Sequence, residues 1–171
     1  MNTTIINLNH ALTFQLEGMY EIVKNLQHTI QVAIKSPVDA STKDLLRDYM
    51  ENLFEQRLKL KRIFGYTLSG PYDRKSGILV DAIVPFREIA ECNAENSMRD
   101  ILFTTSMQAA IQFMITSYTS ARYMAMRLEL DHVVALLDEM LSMEETLLQK
   151  LRSYSAQQVN NACLLTPANE L

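Results

Sequence analysis

The sequence predicts an all-α fold, and three observations predict it. Apolar residues recur at helical spacing over four long stretches, helix breakers are scarce, and the few breakers fall between those stretches. Four glycines and four prolines occur in 171 residues, against ten methionines, a composition of long helices and few tight turns. This length predicts one domain, large enough to bury roughly two-thirds of the surface of its unfolded chain. Residues 1–158 are expected to form that domain, and 159–171, where periodicity stops, a loosely ordered tail.

The first helix is expected from about Ile6 to Lys35. Its stripe of Leu12, Leu16, Met19, Val23, Leu26 and Ile30 follows three-four spacing, and Glu17 and Glu21 fall on the other side. Pro37 forbids continuation and biases Ser36 away from helix. Ser41 with Asp44 resembles a capping box and opens a second helix, which runs to about Thr67 before Ser69-Gly70-Pro71. Its stripe is Leu46, Tyr49, Leu53, Gln56 or Arg57, Leu60 and Phe64.

Residues 71–96 are the least regular part: a turn, then a short helical piece around Gly77–Cys92 that Pro85 interrupts or bends. Ser97 with Asp100 gives a second capping-type start for a helix reaching about Arg127, with the stripe Met107, Ile111, Met114, Tyr118 and Ala125. The last helix begins near Asp131 and ends near Ala156, with Val134, Leu137, Leu141, Glu144, Leu148 and Leu151 inward. Four segments of about 25–30 residues, each about 40 Å long, with a long connection between the second and third, describe a ferritin-like four-helix bundle. An additional short helix lies in the crossover.

Charge and hydropathy narrow the function. The net charge is −4 and no basic cluster exceeds Arg57–Arg62, so no footprint for a nucleic-acid backbone is present. Residues 101–121 form a run of 21 without formal charge, close to the length a membrane span requires. Nine of them are Ser, Thr or Gln, and no aromatic belt or basic loop flanks them, which argues for a helix buried on more than one side. Gln108, Gln112, Thr116, Ser117, Thr119 and Ser120 lie partly on the far side of that helix. They are expected to form a second buried face against a symmetry-related copy, giving a homodimer.

Cys92 and Cys163 are isolated thiols, and the start MNTTIINLNH lacks the basic and apolar regions of a signal peptide, so a reduced, cytoplasmic protein is expected. His10, His28 and His132 are scattered and suggest neither a metal pair nor a nucleophile–base pair. Surface or capping roles are expected for them.

The stretches MRDILFTTSMQAAIQFMITSYTSAR, LLDEMLSMEETLLQKL and QQVNNA carry a family likeness. From Met98 to Ala162 the chain resembles the YciE/YciF family of ferritin-like bacterial proteins. The family pattern reads alongside without a gap: Arg-Asp-Ala-Ala, Glu-His-Tyr-Glu, Ala-Ser-Tyr-Gly, Leu-Leu-x-Glu-Thr-Leu-Glu-Glu-Glu-Lys and Asn-Asn-Val-Asn. QLEGMYEIVKNL and YMENLFEQ in the first two helices match more loosely. The resemblance implies a two-metal carboxylate centre inside the bundle, with Glu from facing helices as hard oxygen ligands.

This chain departs from that pattern position by position. The first-helix Glu falls on Leu16, the two glutamates of Glu-His-Tyr-Glu on Ile111 and Met114, and the final-helix Asp on Leu148. Glu144 alone keeps a family carboxylate at an inward position, while the second helix offers Tyr49, Asn52 or Gln56 according to its register. The family's turn glycine is replaced by Glu129, so the joint between the last two long helices is expected to be different or more strained.

No catalytic residue, cofactor or metal ligand set is therefore expected, but a closed, dry, Met-rich core in which Glu144 pairs with Arg57, Gln56 or Tyr49. The function expected is that of a metal-free, non-enzymatic member acting through its fold, as a homodimer or as a module for an unknown protein partner. The resemblance adds a stress-associated setting. Two alternatives stand beside it. One is a di-metal oxidase or iron-binding protein recruiting Glu144, Glu51, Glu55 and a histidine. The other is a pocket for a small apolar molecule lined by Met107, Met114, Met124, Met126, Met140 and Met143.

Overall fold

In a computed structural model, residues 5–67 and 85–165 are described, with side chains to residue 160. Five helices and no strand occur among the described residues: α1 (Leu8–Ile34), α2 (Ala40–Tyr66), α3 (Phe86–Glu91), α4 (Asn96–Arg127) and α5 (Asp131–Leu165). α1 packs on α2 and α4, and α5 packs on the same two helices, so the four long helices form a closed square with α3 laid against α1 and α4. Opposed pairing sets the direction of α2 and α5: Asp48 meets Lys150, Gln56 meets Glu144 and Lys59 meets Glu139, stepping oppositely along the two helices. This is the ferritin-like bundle expected, with a crossover from the end of α2 to the start of α4.

Side-chain caps start the first two helices, α1 and α2. In α1 the Asn7 side chain accepts from the His10 N–H at 2.9 Å, and the helix begins at Leu8, two residues later than the expected start at Ile6. The capping box at Ser41 and Asp44 is not used. Asp39 caps α2 instead, accepting from the Thr42 N–H at 2.5 Å, because its extended backbone just before Ala40 aims the carboxylate at the first turn. The Ser97 and Asp100 pair is likewise not a cap: α4 begins at Asn96, and its N-cap Glu95 makes no side-chain hydrogen bond. Asp100 faces inward and serves α2, accepting from the Asp39 N–H at 3.2 Å.

The expected inward stripes of α1, α2 and α4 are all buried. Gln56, fully buried, resolves the register of α2, while Arg57 is half-buried and donates to Gln27 Oε1 at 3.1 Å. In α5 the stripe is rotated from the expected one. Val133, Leu136, Leu137, Met140, Glu144, Leu147, Leu148 and Leu151 are buried, and Val134 and Leu141 are half-buried. The rotation follows from the wide apolar face a bundle helix needs. Rings join neighbouring helices, Tyr20 to Phe64 at 5.8 Å and Phe86 of α3 to Phe103 of α4 at 5.7 Å.

α5 continues past the expected end at Ala156 to Leu165, since the sequence QQVNNACLL contains no glycine or proline to stop it and Pro167 is the first breaker. Residues 166–171 of the expected tail lie outside the described residues, as do 68–84 of the crossover. Of the short helical piece expected at Gly77–Cys92, the described part is α3, which starts directly after Pro85.

The joint between α4 and α5 keeps the geometry of a glycine turn without the glycine. Glu129 has φ 56°, the left-handed region that L residues enter at a cost of about 1–2 kcal/mol. The Leu130 N–H reaches Ala125 O at 3.1 Å and the Glu129 N–H reaches Met126 O at 3.2 Å. These are the two bonds of a Schellman ending, which demands a left-handed residue between them.

Candidate functional site

Three helices bring a polar cluster into an otherwise apolar interior. Tyr49 and Gln56 sit on the inward stripe of α2, two turns apart, with Tyr118 on α4 and Glu144 on α5, and all four are 0% exposed. The Tyr118 hydroxyl donates to Gln56 Oε1 at 2.6 Å, and Gln56 Nε2 donates to Glu144 Oε1 at 2.9 Å. The carboxamide thus spends both ends, accepting from the phenol and donating to the acid. Glu144 Oε2 and the Tyr49 hydroxyl have no hydrogen-bonding partner among the protein groups around them.

Burial controls the charge of this cluster. Loss of water pushes the Glu144 carboxyl up to about 8, against the weaker opposing pull of the Gln56 hydrogen bond. The Tyr49 phenol is raised well above its ordinary value by burial first, then by the nearby charges of Glu144 and Tyr118, and Tyr118 is raised by burial and by Glu144. At neutral pH the cluster is therefore an uncharged set of hydrogen-bonding groups: a carboxylic acid, a carboxamide and two phenols. Of the three partners expected for Glu144, Gln56 is its hydrogen-bond donor and Arg57 is engaged elsewhere. Tyr49 is near enough to feel its charge without bonding to it.

Leu16, Ile111 and Met114 are fully buried and Leu148 is 6% exposed, so the positions the resemblance assigns to carboxylates face the core as aliphatic and thioether side chains. Glu51 and Glu55 are exposed, as are His10, His28 and His132. His10 is in the first turn of α1, and His132 stacks on Tyr66 with centroids 5.2 Å apart. Among the described residues no group of three or more His, Cys, Asp or Glu side chains is placed to hold a metal ion. Of the six methionines considered for a pocket, Met107, Met114 and Met140 are core, Met124 and Met143 half-buried, and Met126 exposed.

A second polar cluster closes the end of the bundle where α1 turns into α2. Asp39 accepts from the Tyr154 hydroxyl of α5 at 2.8 Å as well as capping α2, and its backbone N–H donates to Asp100 of α4. Thr42 bonds Tyr154 at 3.2 Å, and Thr104 donates to Gln158 Oε1 at 2.9 Å. Arg99 holds the Cys92 carbonyl at 2.9 Å and the Pro37 carbonyl at 3.3 Å. Burial raises Asp39, but hydrogen bonds from Thr42, Tyr154 and Ser41 together outweigh it and hold the carboxyl below its ordinary value. Burial raises Asp100, helped by the charge of Asp39 and opposed by the Asp39 N–H. The sequence alone does not reveal this cluster, because Asp100 reads as part of a capping pair with Ser97 and no local pattern links positions 61 and 115 residues apart.

These features define the class first: a ferritin-like four-helix bundle with a crossover between its two hairpins and a neutral polar cluster in its core. The chain belongs to the DUF892 family, described as a domain of unknown function, which matches residues 7–164. Its fold is that of the E. coli stress protein YciF, at 17% identity and TM-score 0.84, covering 91% of this chain and 99% of that one. YcfI from Rhodopseudomonas palustris is similar at 19% identity and TM-score 0.80, covering 89% and 97%. A protein from Xanthomonas campestris pv. campestris is similar at 12% identity and TM-score 0.69, covering 90% and 94%. The YciE/YciF-type resemblance read from Met98–Ala162 is thereby confirmed over almost the whole chain. No curated protein matches the sequence. Among the described residues no helix is long and apolar enough to cross a membrane.

Proposed function

We propose that this chain is a metal-free, non-enzymatic member of its family that acts through its fold, as a homodimer in the cytoplasm. The observation that carries the reading is the donor set of the core. Two divalent cations need several anionic oxygens to offset their dehydration. Among the described residues two carboxyls are buried: Asp100, which is spent on the Asp39 N–H at the end of the bundle, and Glu144 in the middle of the core, which keeps its proton up to about pH 8 and so must lose it before it can ligate. Leu16, Ile111, Met114 and Leu148 supply no oxygen, and the Met114 thioether is too soft a ligand for iron-like cations. These residues do not fit a two-metal carboxylate centre.

The outward face of α4 supports the dimer. Of the six residues expected on it, Gln112 and Thr116 are exposed, Gln108, Thr119 and Ser120 are half-buried and Ser117 is buried inside the bundle. Leu102, Thr105 and Ala109 extend the exposed row without a single charge, an unusual composition for a face that meets only water. The setting of E. coli YciF, a stress protein, extends to this chain as part of the proposal.

Metal analysis tests the reading. Protein from iron- and zinc-supplemented cultures should carry far less than one ion per chain, and added Fe2+ or Zn2+ should leave Tm unchanged. Stoichiometric metal, about one or two ions per chain, together with a metal-dependent rise in Tm, would overturn it.

A further inference from the structure

The geometry points to a binding site for one small uncharged protic molecule, occupied by water in the resting protein, between Glu144 Oε2 and the Tyr49 hydroxyl. The inference rests on the metal-free reading of the same cluster, since a cation there would take both oxygens as ligands. Its starting point is that both atoms are fully buried, on the packed helices α2 and α5, and that neither has a protein partner. Buried polar atoms of this kind are rare, and each one calls for a partner of some sort. The rest of the cluster is already committed: Gln56 spends its carbonyl on Tyr118 and its amide on Glu144 Oε1.

Counting donors and acceptors selects the ligand. With Oε1 accepting from Gln56, the proton of the neutral acid lies on Oε2, so this atom is a donor without an acceptor. The Tyr49 hydroxyl is also a donor without an acceptor, and because it can accept as well, it can satisfy either valence of a small ligand. The two groups interact electrostatically yet do not bond directly. One molecule with two lone pairs accepts from both and bridges them. Water does this, whereas a cation would meet two O–H donors and an anion would carry a charge into an apolar core.

Supply from solvent is at hand. On the outer side of the same turns of α2 and α5 lies an open groove of about 410 Å3, lined in part by Asn52, Met143 and Leu147. Asn52 lies between Tyr49 and Gln56 in α2, while Met143 and Leu147 flank Glu144 in α5.

The sign of one substitution tests the site. Tyr49→Phe removes only the hydroxyl. If that hydroxyl is bridged, its loss strips a partner from Glu144, and Tm should fall by about 3 °C or more. If it is an orphan, its loss relieves a buried penalty, and an unchanged or raised Tm overturns the proposal. Crystals of the full chain diffracting beyond about 1.5 Å should show one peak within hydrogen-bonding distance of both oxygens. That peak should persist in Glu144→Gln, whose amide N–H replaces the acid O–H, and disappear in Tyr49→Phe. A position empty in the unsubstituted protein overturns the water site alone. A peak with anomalous scattering and contacts near 2.1 Å overturns the metal-free reading along with it.

Discussion

Glu144→Gln replaces an acid that titrates with a nearly identical carboxamide that does not. In the folded protein the Glu144 carboxyl is pushed up to about 8, and its ordinary value is 4.5. A raised carboxyl stabilises the fold fully only while the unfolded chain is also protonated, below about pH 4.5. As pH rises the unfolded chain releases its proton and the folded chain keeps it, so stability falls by about 1.4 kcal/mol for each tenfold drop in proton activity. The loss stops near pH 8, where the folded protein releases the proton as well. Integrated over that interval the penalty is about 5 kcal/mol, and at pH 7 about 3 kcal/mol, both to order of magnitude. Denaturant melts of the wild type and Glu144→Gln at pH 5, 7 and 9 isolate the term, because every other titrating group cancels in the difference. The substitution should gain on the wild type by several kcal/mol between pH 5 and pH 9, with the gain levelling above pH 8. Curves that stay parallel across that range would show that Glu144 is solvated or ion-paired in solution, and the account of a neutral core cluster would fail.

Three further outcomes follow from features of the fold. Glu129→Gly, at φ 56°, should raise stability by about 1 kcal/mol, read as a higher midpoint at unchanged denaturant slope, since glycine takes the left-handed position without the Cβ clash. Asp39→Ala removes the cap of α2 and the acceptor for Tyr154, and should cost about 2 kcal/mol at pH 7, a fall in Tm of roughly 4–8 °C. Because the Asp39 carboxyl is held below its ordinary 3.8, the deficit should shrink only as pH drops below about that value. Ala109→Glu places a charge on the exposed, uncharged face of α4, and should shift sedimentation from a dimer to the 19.6 kDa monomer. A protein that sediments as a monomer before substitution refutes that interface.

The architecture was legible because its signal is periodic. Three of the four inward stripes match the buried residues, and Gln56 settles the one position that spacing left open. Helix starts were not legible, because Ser41-x-x-Asp44 and Ser97-x-x-Asp100 satisfy a capping pattern that a better placed Asp39, and an inward role for Asp100, displace. The end of α5 was not legible either, because the helix outruns its apolar periodicity where no glycine or proline interrupts it before Pro167. In the core cluster Glu144 and Gln56 were visible from the inward stripes. The link to Tyr118 was not, since a hydrogen bond between residues 62 apart leaves no trace in local spacing.

The Asp39 clasp also bears on how the chain reaches its native state. α1 with α2, and α4 with α5, are joined by short connections, so each hairpin closes a small loop and forms quickly. The bonds from Asp39 to Asp100 and Tyr154 span 61 and 115 residues and close only when the halves have met. Loops of that length are entropically costly to shut, and contacts across them form late. The clasp is thus a latch set after docking: its removal should quicken unfolding while leaving the rate of refolding nearly unchanged.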